Sequence, residues 1–268
     1  LFDIKAMKEL GFNMIRKHIK VEPSRWYMHC DREGILVWQD LPSPNLPEGH
    51  EAFARQNFEE EAVRIIDAFE NHPSIVQWVV FNEGWGQFDT ERMTQVVIDK
   101  VSPQSLVCCA SGWNDAEIGD IKDSHSYPYP SCPIDQKRAC VNGEYGGITL
   151  KVPGHIWPGG DFGYTTVETP EDFTVMFNDL ADKIKDHYYY GLNAAVYTQL
   201  SDVEIEKNGI YTYDRRILKP YSPTGELKDK ILECINMPQS DVKIQPVVST
   251  AKEHKYKWKF ITEDLSLI

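Results

Sequence analysis

The sequence predicts an α/β protein with the architecture of a (β/α)8 TIM barrel, and three observations lead to this fold class. Seven predicted strands, with helices between most of them, follow one another over roughly 240 residues. The segment 75–81 is apolar on both faces, which is typical of a parallel strand covered by helices. Gly-rich phosphate-binding motifs are absent from the sequence, so an open nucleotide-binding sheet loses its main support.

Helical stripes and strand-like runs define the first half of the chain. Apolar residues at helical spacing predict the first helix, and Gly11 is placed to end it. Pro23 at a first helical position predicts the start of the second helix. In chain order, the predicted elements are a helix over 1–10, a strand over 12–19, a helix over 23–34, a strand over 35–38, a helix over 51–70 and a strand over 75–81.

The same alternation continues in the second half. Pro170 is expected to start a helix after an irregular Gly- and Pro-rich loop over 146–169. The remaining predicted elements are a helix over 90–101 and strands over 106–110, 121–127, 138–144 and 192–198. An eight-stranded barrel counted this way is one strand short, so the chain resembles a fragment whose first strand precedes Leu1.

The composition changes after Pro238. We assign residues 1–237 to the barrel, and residues 238–268 to a linker and the start of a following β domain. Two short stretches in this tail, 242–248 and 254–261, alternate polar and apolar residues. Lysines at 255, 257 and 259 would face the core if the tail filled the gap in the barrel, so we expect the tail to pack elsewhere.

Charge and composition exclude several classes of partner. The chain has 28 Lys and Arg against 41 Asp and Glu, a net charge of −13, so we expect neither nucleic acid nor a membrane surface as partner. Leu1 begins no signal peptide, which leaves the cellular location open. The six cysteines lack zinc-ligand spacing and are predicted to be structural thiols, and we expect no metal or other cofactor.

Two glutamates stand where the chemistry of such barrels lies, at the C-terminal ends of strands. Glu83 follows the strand 75–81, Glu144 ends the strand 138–144, and glycines flank both. Glycine clears bulk, so a ligand can approach the backbone. A retaining glycosidase needs two carboxyl groups about 5–5.5 Å apart, one as nucleophile and one as acid and base. The pair therefore indicates this chemistry.

Several segments carry a specific resemblance. Asn71 to Glu83, Phe12 to Arg16, Trp26–Tyr27 with the following Cys30–Asp31 and Gly34, and Asn142 to Tyr145 resemble the catalytic barrel of glycoside hydrolase family two. That family includes β-galactosidases, β-glucuronidases and β-mannosidases, and the resemblance covers residues 1–237. It implies that Glu83 is the acid/base and Glu144 the nucleophile. It also implies a sugar-binding β-sandwich and an immunoglobulin-like domain upstream.

The resemblance suggests further substrate-binding residues. Asn82 is expected to bind the sugar 2-hydroxyl, His125 another sugar hydroxyl, and Tyr127 to donate to the nucleophile. Arg16 and Asp40 end the second and third strands and are added to the substrate-binding set. His18 lies one position away from the histidine of relatives, which puts its role in doubt.

Aromatic residues complete the expected site. Trp85, Trp113 and Trp157 lie in loops on the predicted ligand side, where indole rings stack on sugar faces. Relatives place a tryptophan in strand eight, whereas this chain reads Ala195 to Asp202 without one. Tyr197 or Gln199 is expected to fill that space.

These features predict a retaining, exo-acting β-glycosidase, β-galactosidase-like among the family's activities, with a glycoside as substrate. Two alternatives stay open: a carbohydrate-binding barrel without turnover, and another retaining glycanase of the same barrel clan. As the proton donor, Glu83 is expected to have a pKa above the usual value, which removal of Glu144 would lower.

Overall fold

The computed structural model describes residues 1–43 and 51–237. Its helices are α1 (Phe2–Glu9), α2 (Ser24–Glu33), α3 (Glu51–Phe69), α4 (Thr90–Lys100), α5 (Pro170–Tyr188) and α6 (Glu226–Ile235). Its strands are β1 (Met14–Lys17), β2 (Leu36–Asp40), β3 (Ile75–Asn82), β4 (Leu106–Ser111), β5 (Ile121–His125), β6 (Ala139–Gly146), β7 (Ile148–Thr149), β8 (Thr165–Thr166) and β9 (Leu192–Thr198).

The seven predicted strands are present and pair in parallel. They form a four-stranded sheet in the order β1-β2-β3-β4 and a three-stranded sheet in the order β5-β6-β9. Helices connect most successive strands. Because parallel strands point the same way, the carboxyl ends of all seven lie on one side. The predicted tail strands 242–248 and 254–261 lie outside the described residues, and so does their expected packing.

The helix ends follow from local chemistry. Gly34 ends α2 in a left-handed conformation with φ of 66°, which glycine adopts without strain. The Thr169 side chain accepts a hydrogen bond from the Asp172 amide, and Pro170 occupies the first turn of α5 as predicted. The predicted start of α2 is off by one position, because Pro23 precedes the helix.

The core divides into an interior and two outer layers. Inside the barrel, Trp38, Val79, Cys108, Ile121 and Val141 form one buried cluster. One outer cluster packs the first four helices on β2 and β3, and the other packs α5 and α6 on β6 and β9. All six cysteines are free thiols.

The sequence analysis missed α6 and the short pair β7–β8. Leu227 and Ile231 of α6 are buried in the second outer cluster together with Leu10. Gly11 has φ of 96°, and a Cβ there would lie 3.2 Å from the Lys228 carbonyl oxygen, so glycine allows α6 to approach. None of the described helices has the length and apolarity that a membrane span requires.

Candidate active site

Strand ends bring the two predicted glutamates to one place. Glu144 lies within β6, and Glu83 is the first residue after β3. Glu83 has φ of 53°, a left-handed conformation that turns the chain away from the strand. Gly84 follows with φ of 75°, and a Cβ there would lie 2.3 Å from the Asn114 side-chain nitrogen. Glycine at position 84 is therefore needed for this turn.

The two carboxylates are close. One oxygen of Glu83, one oxygen of Glu144 and a ring nitrogen of His125 all lie within 4.8 Å of one another. This spacing is near the value of about 5–5.5 Å typical of retaining glycosidases and below the 6.5–9.5 Å of inverting ones.

Glu144 is held by two strong donors. Arg16 Nη1 lies 3.0 Å from Glu144 Oε1, and the Tyr127 hydroxyl donates to Glu144 Oε2 at 2.6 Å. Tyr127 Oη also lies 2.9 Å from the Thr198 hydroxyl. Burial and the negative charge of Glu144 raise the pKa of Tyr127, so Tyr127 stays protonated and can donate. Both donors orient the Glu144 carboxylate.

Arg16 and Asp40 form a buried ion pair next to Glu144. Their side chains are only 2% and 1% exposed, and Arg16 binds both Asp40 oxygens, at 3.1 and 2.8 Å. Although burial opposes it, the carboxylates of Asp40 and Glu144 raise the pKa of Arg16. Arg16 orients Glu144, and Asp40 holds Arg16 in place. A direct contact of Arg16 or Asp40 with substrate stays a prediction.

Asn82 belongs to the same network. Its side-chain oxygen accepts from Arg16 Nη2 at 2.8 Å, which fixes its amide next to Glu83. The amide group is buried at the end of β3. The structure brings Asn82 to the carboxylate pair, and its contact with a sugar 2-hydroxyl stays a prediction.

His125 binds Glu83. Its Nδ1 lies 2.7 Å from Glu83 Oε1, and its Nε2 lies 2.7 Å from the Ser111 hydroxyl. The imidazole is 1% exposed, and its predicted hydrogen bond to a sugar hydroxyl stays a prediction. The His125 hydrogen bond lowers the pKa of Glu83, outweighing its partial burial. The expected raised pKa of Glu83 is wrong, because the sequence does not show this contact.

Asp123 is a buried residue that the sequence analysis missed. It accepts from the Ser111 hydroxyl at 2.5 Å and from the Gly143 amide at 2.6 Å. A Cβ at position 143 would lie 2.3 Å from an Asp123 oxygen, so glycine before Glu144 makes room for this carboxylate. The alternation of Asp123 and His125 on β5 is the signal that could have revealed it.

The predicted tryptophans separate into two groups. Trp113 donates to the Glu83 carbonyl oxygen at 2.9 Å, and its ring meets His125 edge-on. Trp85 contributes to the lowered pKa of Glu83 and is 60% exposed. Trp157 instead packs on Tyr213 at a ring distance of 5.4 Å, and no contact between described residues joins it to the carboxylates, so its assignment to the site is not supported.

Strand register removes Tyr197 from the site. Thr198 points inward, as its bond to Tyr127 shows, so the neighbouring Tyr197 points outward. Tyr197 is buried beside Phe177 and Tyr145, in the layer between barrel and helices. The prediction that it fills the sugar site is wrong. Gln199 lies on the ligand side and binds Glu206.

Three residues near the pair were not assigned from the sequence. Tyr164 stacks on Tyr127, with ring centres 3.6 Å apart and planes 4° apart. A Cβ at Gly147 would lie 2.5 Å from the Tyr164 ring, so glycine leaves space for the stack. His18 is half exposed and lies 3.6 Å from both Asp40 and Glu144. Glu206 is the third of these residues, and it accepts a hydrogen bond from Gln199.

Glu83, His125 and Glu144 could together ligate a metal ion through two oxygens and one nitrogen. In the structure the same atoms are joined by hydrogen bonds and ion pairs. That no metal is required stays a prediction.

The chain matches a known family over most of its length. Residues 1–233 match the family described as the TIM barrel domain of glycosyl hydrolases family 2. The chain belongs to this family, which confirms the predicted barrel and the resemblance.

Individual relatives share the domain. The chain is 24% identical to a β-galactosidase from Clostridium acetobutylicum, over 87% of this chain and 30% of that protein. It is 25% identical to a mannosylglycoprotein endo-β-mannosidase from Lilium longiflorum, over 86% of this chain and 26% of that protein. A β-galacturonidase structure from Eisenbergiella tayi has a TM-score of 0.65 at 17% identity, over 86% of this chain and 47% of that one. The chain spans less than half the length of these relatives.

Proposed function

We propose that this chain is the catalytic barrel of a retaining, exo-acting β-glycosidase with β-galactosidase-like activity. The observation that carries the proposal is the carboxylate pair, with one oxygen of Glu83 within 4.8 Å of one oxygen of Glu144. No water molecule needs to fit between sugar and nucleophile at this spacing, in contrast to the wider pair of an inverting enzyme.

The first step forms a covalent bond between Glu144 and the anomeric carbon. Glu144 attacks with a carboxylate that Arg16 and Tyr127 orient. The bond from the anomeric carbon to the leaving oxygen breaks, and Glu83 gives that oxygen a proton. A hydrogen bond of 2.7 Å to His125 positions the Glu83 carboxyl group for this transfer.

The second step reverses these roles. Glu83, now a carboxylate, accepts a proton from water as the water attacks the anomeric carbon, and Glu144 leaves unchanged. Two displacements at one carbon restore its configuration. The sugar is therefore released as the β-anomer.

The product's configuration tests this proposal. Proton NMR of the whole protein acting on 4-nitrophenyl β-D-galactopyranoside is expected to show β-galactose first, followed by slow mutarotation. First appearance of the α-anomer would contradict the retaining mechanism. Absence of turnover with a panel of nitrophenyl β-glycosides would favour the carbohydrate-binding alternative.

A second candidate is an endo-acting glycanase. It is favoured by the similarity to the lily enzyme, which is named an endo-β-mannosidase and aligns with 86% of this chain. Release of oligosaccharides rather than single sugars from a β-linked polymer would identify this activity.

A further inference from the structure

A third carboxylate, that of Glu206, lies near the nucleophile. Gln199 Nε2 donates to Glu206 Oε2 at 3.1 Å. Gln199 directly follows Thr198, whose hydroxyl lies 2.9 Å from the Tyr127 hydroxyl. Tyr127 in turn donates to Glu144. This chain of contacts places Glu206 on the nucleophile's side of the site.

The backbone gives a second, independent placement. Glu206 forms a bridge with Phe162, and the Phe162 amide donates to the Ile205 carbonyl at 2.9 Å. Two residues after Phe162, Tyr164 stacks on Tyr127. The two routes converge on the same tyrosine, so Glu206 lies near Tyr127 and Tyr164, which form one wall of the site beside Glu144.

The cations of this region are already engaged. Lys207, next to Glu206, is buried and binds the Gly160 carbonyl and Asp161. Lys219 is buried against Asp202. Arg16 uses its donors on Asp40, Asn82, Gly143 and Glu144.

Among the described residues, His18 is the exposed basic group at this wall. It is half exposed and 3.6 Å from Glu144. The wall thus has at least two carboxylates, Glu144 and Glu206, for one histidine. A negatively charged substituent on the sugar would meet like charges there.

We propose that Glu206 is a specificity-determining residue that contacts the glycone and selects an uncharged sugar over the matching hexuronic acid. The inference rests on the proposed function, whose site it describes. A hexoside offers hydroxyl groups that Glu206 can bind, whereas a hexuronide brings a carboxylate beside it. Like charges placed together cost several kcal/mol, and this corresponds to discrimination of about 100-fold or more.

The protonation behaviour of Glu206 supports this assignment. Burial raises the pKa of Glu206, and the charge of Glu144 adds to the effect, while hydrogen bonds from Asn208 and Gln199 oppose it. An arriving uronate would raise this pKa further. Binding of a uronate would therefore either bring like charges together or require the uptake of a proton, and either effect weakens the binding.

Two solved structures with the same fold are named for activity on uronides, unlike the uncharged glycone proposed for this chain. The Eisenbergiella tayi structure is a β-galacturonidase bound to galacturonate, and a Faecalibacterium prausnitzii neighbour is a β-glucuronidase. At 17% and 16% identity they share the barrel with this chain. Glu206 indicates a different choice of glycone.

Matched substrates test the proposal. The whole protein is assayed with 4-nitrophenyl β-galactoside and β-galacturonide, and with the glucoside and glucuronide, which differ at C6. We expect kcat/KM to favour the uncharged member of each reactive pair by about 100-fold or more. Equal values, or preference for a uronide, would overturn the proposal.

Substitution tests the residue itself. Glu206→Gln keeps the shape of the side chain and removes its charge. The ratio of kcat/KM for the uncharged glycoside to kcat/KM for the uronide is therefore expected to fall by at least about tenfold. Glu204→Gln removes an exposed carboxylate from the same loop and is expected to leave the ratio unchanged. An unchanged ratio in a folded Glu206→Gln variant, shown by an unaltered circular dichroism spectrum, would contradict the role of Glu206.

A binding measurement distinguishes failure of this proposal from failure of the proposed function. Saturation-transfer NMR of the wild-type protein compares galactose with galacturonate and glucose with glucuronate, and it requires no turnover and no variant. Preferential binding of the neutral sugars supports the proposal even if no glycoside is hydrolysed. Preferential binding of the uronates, or equal binding, overturns it.

Discussion

The two glutamates proposed as catalytic have opposite surroundings. Glu144 accepts from a buried arginine at 3.0 Å and from a tyrosine at 2.6 Å. Glu83 has its strongest side-chain contact with His125, at 2.7 Å, in a left-handed backbone position between β3 and a glycine. The donors to Glu144 are an arginine and a tyrosine, whereas the partner of Glu83 is a histidine, whose ring nitrogens can donate or accept.

This difference indicates how two identical side chains take different roles. A nucleophile must be ionised when the sugar arrives, and donors that face its carboxylate suit that role. An acid/base must give and take a proton in each turnover, and a histidine ring nitrogen can either donate or accept a hydrogen bond. On this difference we propose Glu144 as nucleophile and Glu83 as acid/base, and both roles stay predictions.

The largest expected effect comes from the nucleophile. Glu144→Gln keeps the volume and removes the attacking charge, so kcat is expected to fall by several orders of magnitude for every substrate. Steady-state assays on good and poor leaving groups measure this. Glu22→Gln, which changes a carboxylate bound to Lys17 and Lys20, serves as control and should retain activity. A modest loss of kcat in Glu144→Gln would show that Glu144 is not the nucleophile.

Glu83→Ala is expected to give a loss that depends on the leaving group. A glycoside of an acidic phenol needs no protonation and should keep much of its first-step rate, while an alkyl glycoside should lose several orders of magnitude. Presteady-state kinetics with dinitrophenyl and methyl glycosides measure the contrast. Equal losses for both would contradict the acid/base role.

Tyr127→Phe removes one of the two donors to Glu144. A hydrogen bond to a charged group contributes about 1.5–3 kcal/mol, so we expect kcat/KM to fall by about 10–100-fold. The fold should persist, because the ring still stacks on Tyr164. Trp157→Phe, a change away from the carboxylates, is the matched aromatic control. A loss in Trp157→Phe as large as that in Tyr127→Phe would contradict a specific role for the hydroxyl.

His125→Phe is expected to move the pH profile. The His125 hydrogen bond lowers the pKa of Glu83, so its removal raises that pKa. The acid form of Glu83 then persists to higher pH, and the alkaline limb of kcat/KM should shift upward even if the maximum falls. The profile is measured with an alkyl glycoside, which needs the proton. A downward shift would reverse the assigned direction.

The sequence predicted the scaffold well for a physical reason. An apolar run such as β3 indicates by its own sequence that the strand is buried. In the same way, an apolar stripe at helical spacing indicates the buried face of a helix. The helix α6 was missed although Leu227 and Ile231 lie four positions apart, because their partner Leu10 is more than two hundred positions away. Local patterns identify a buried face without identifying its partner.

The site was harder to predict, because its roles depend on contacts through space. Tyr197 and Thr198 are neighbours in sequence, and strand register alone decides which one faces the sugar. The bond between His125 and Glu83 joins residues 42 positions apart and reverses the expected pKa shift of Glu83. Residue types at strand ends predicted which side chains meet, but they could not predict the hydrogen bonds between them.

The central claim is that Glu144, the carboxylate that Arg16 and Tyr127 hold, becomes covalently bound to the sugar. Incubation of the whole protein with a 2-deoxy-2-fluoro β-glycoside of a good leaving group slows the second step and traps the intermediate. Peptide mass analysis is expected to show one glycosyl label, on Glu144, and none in Glu144→Gln. A label on Glu83, or on any other residue, would contradict the account.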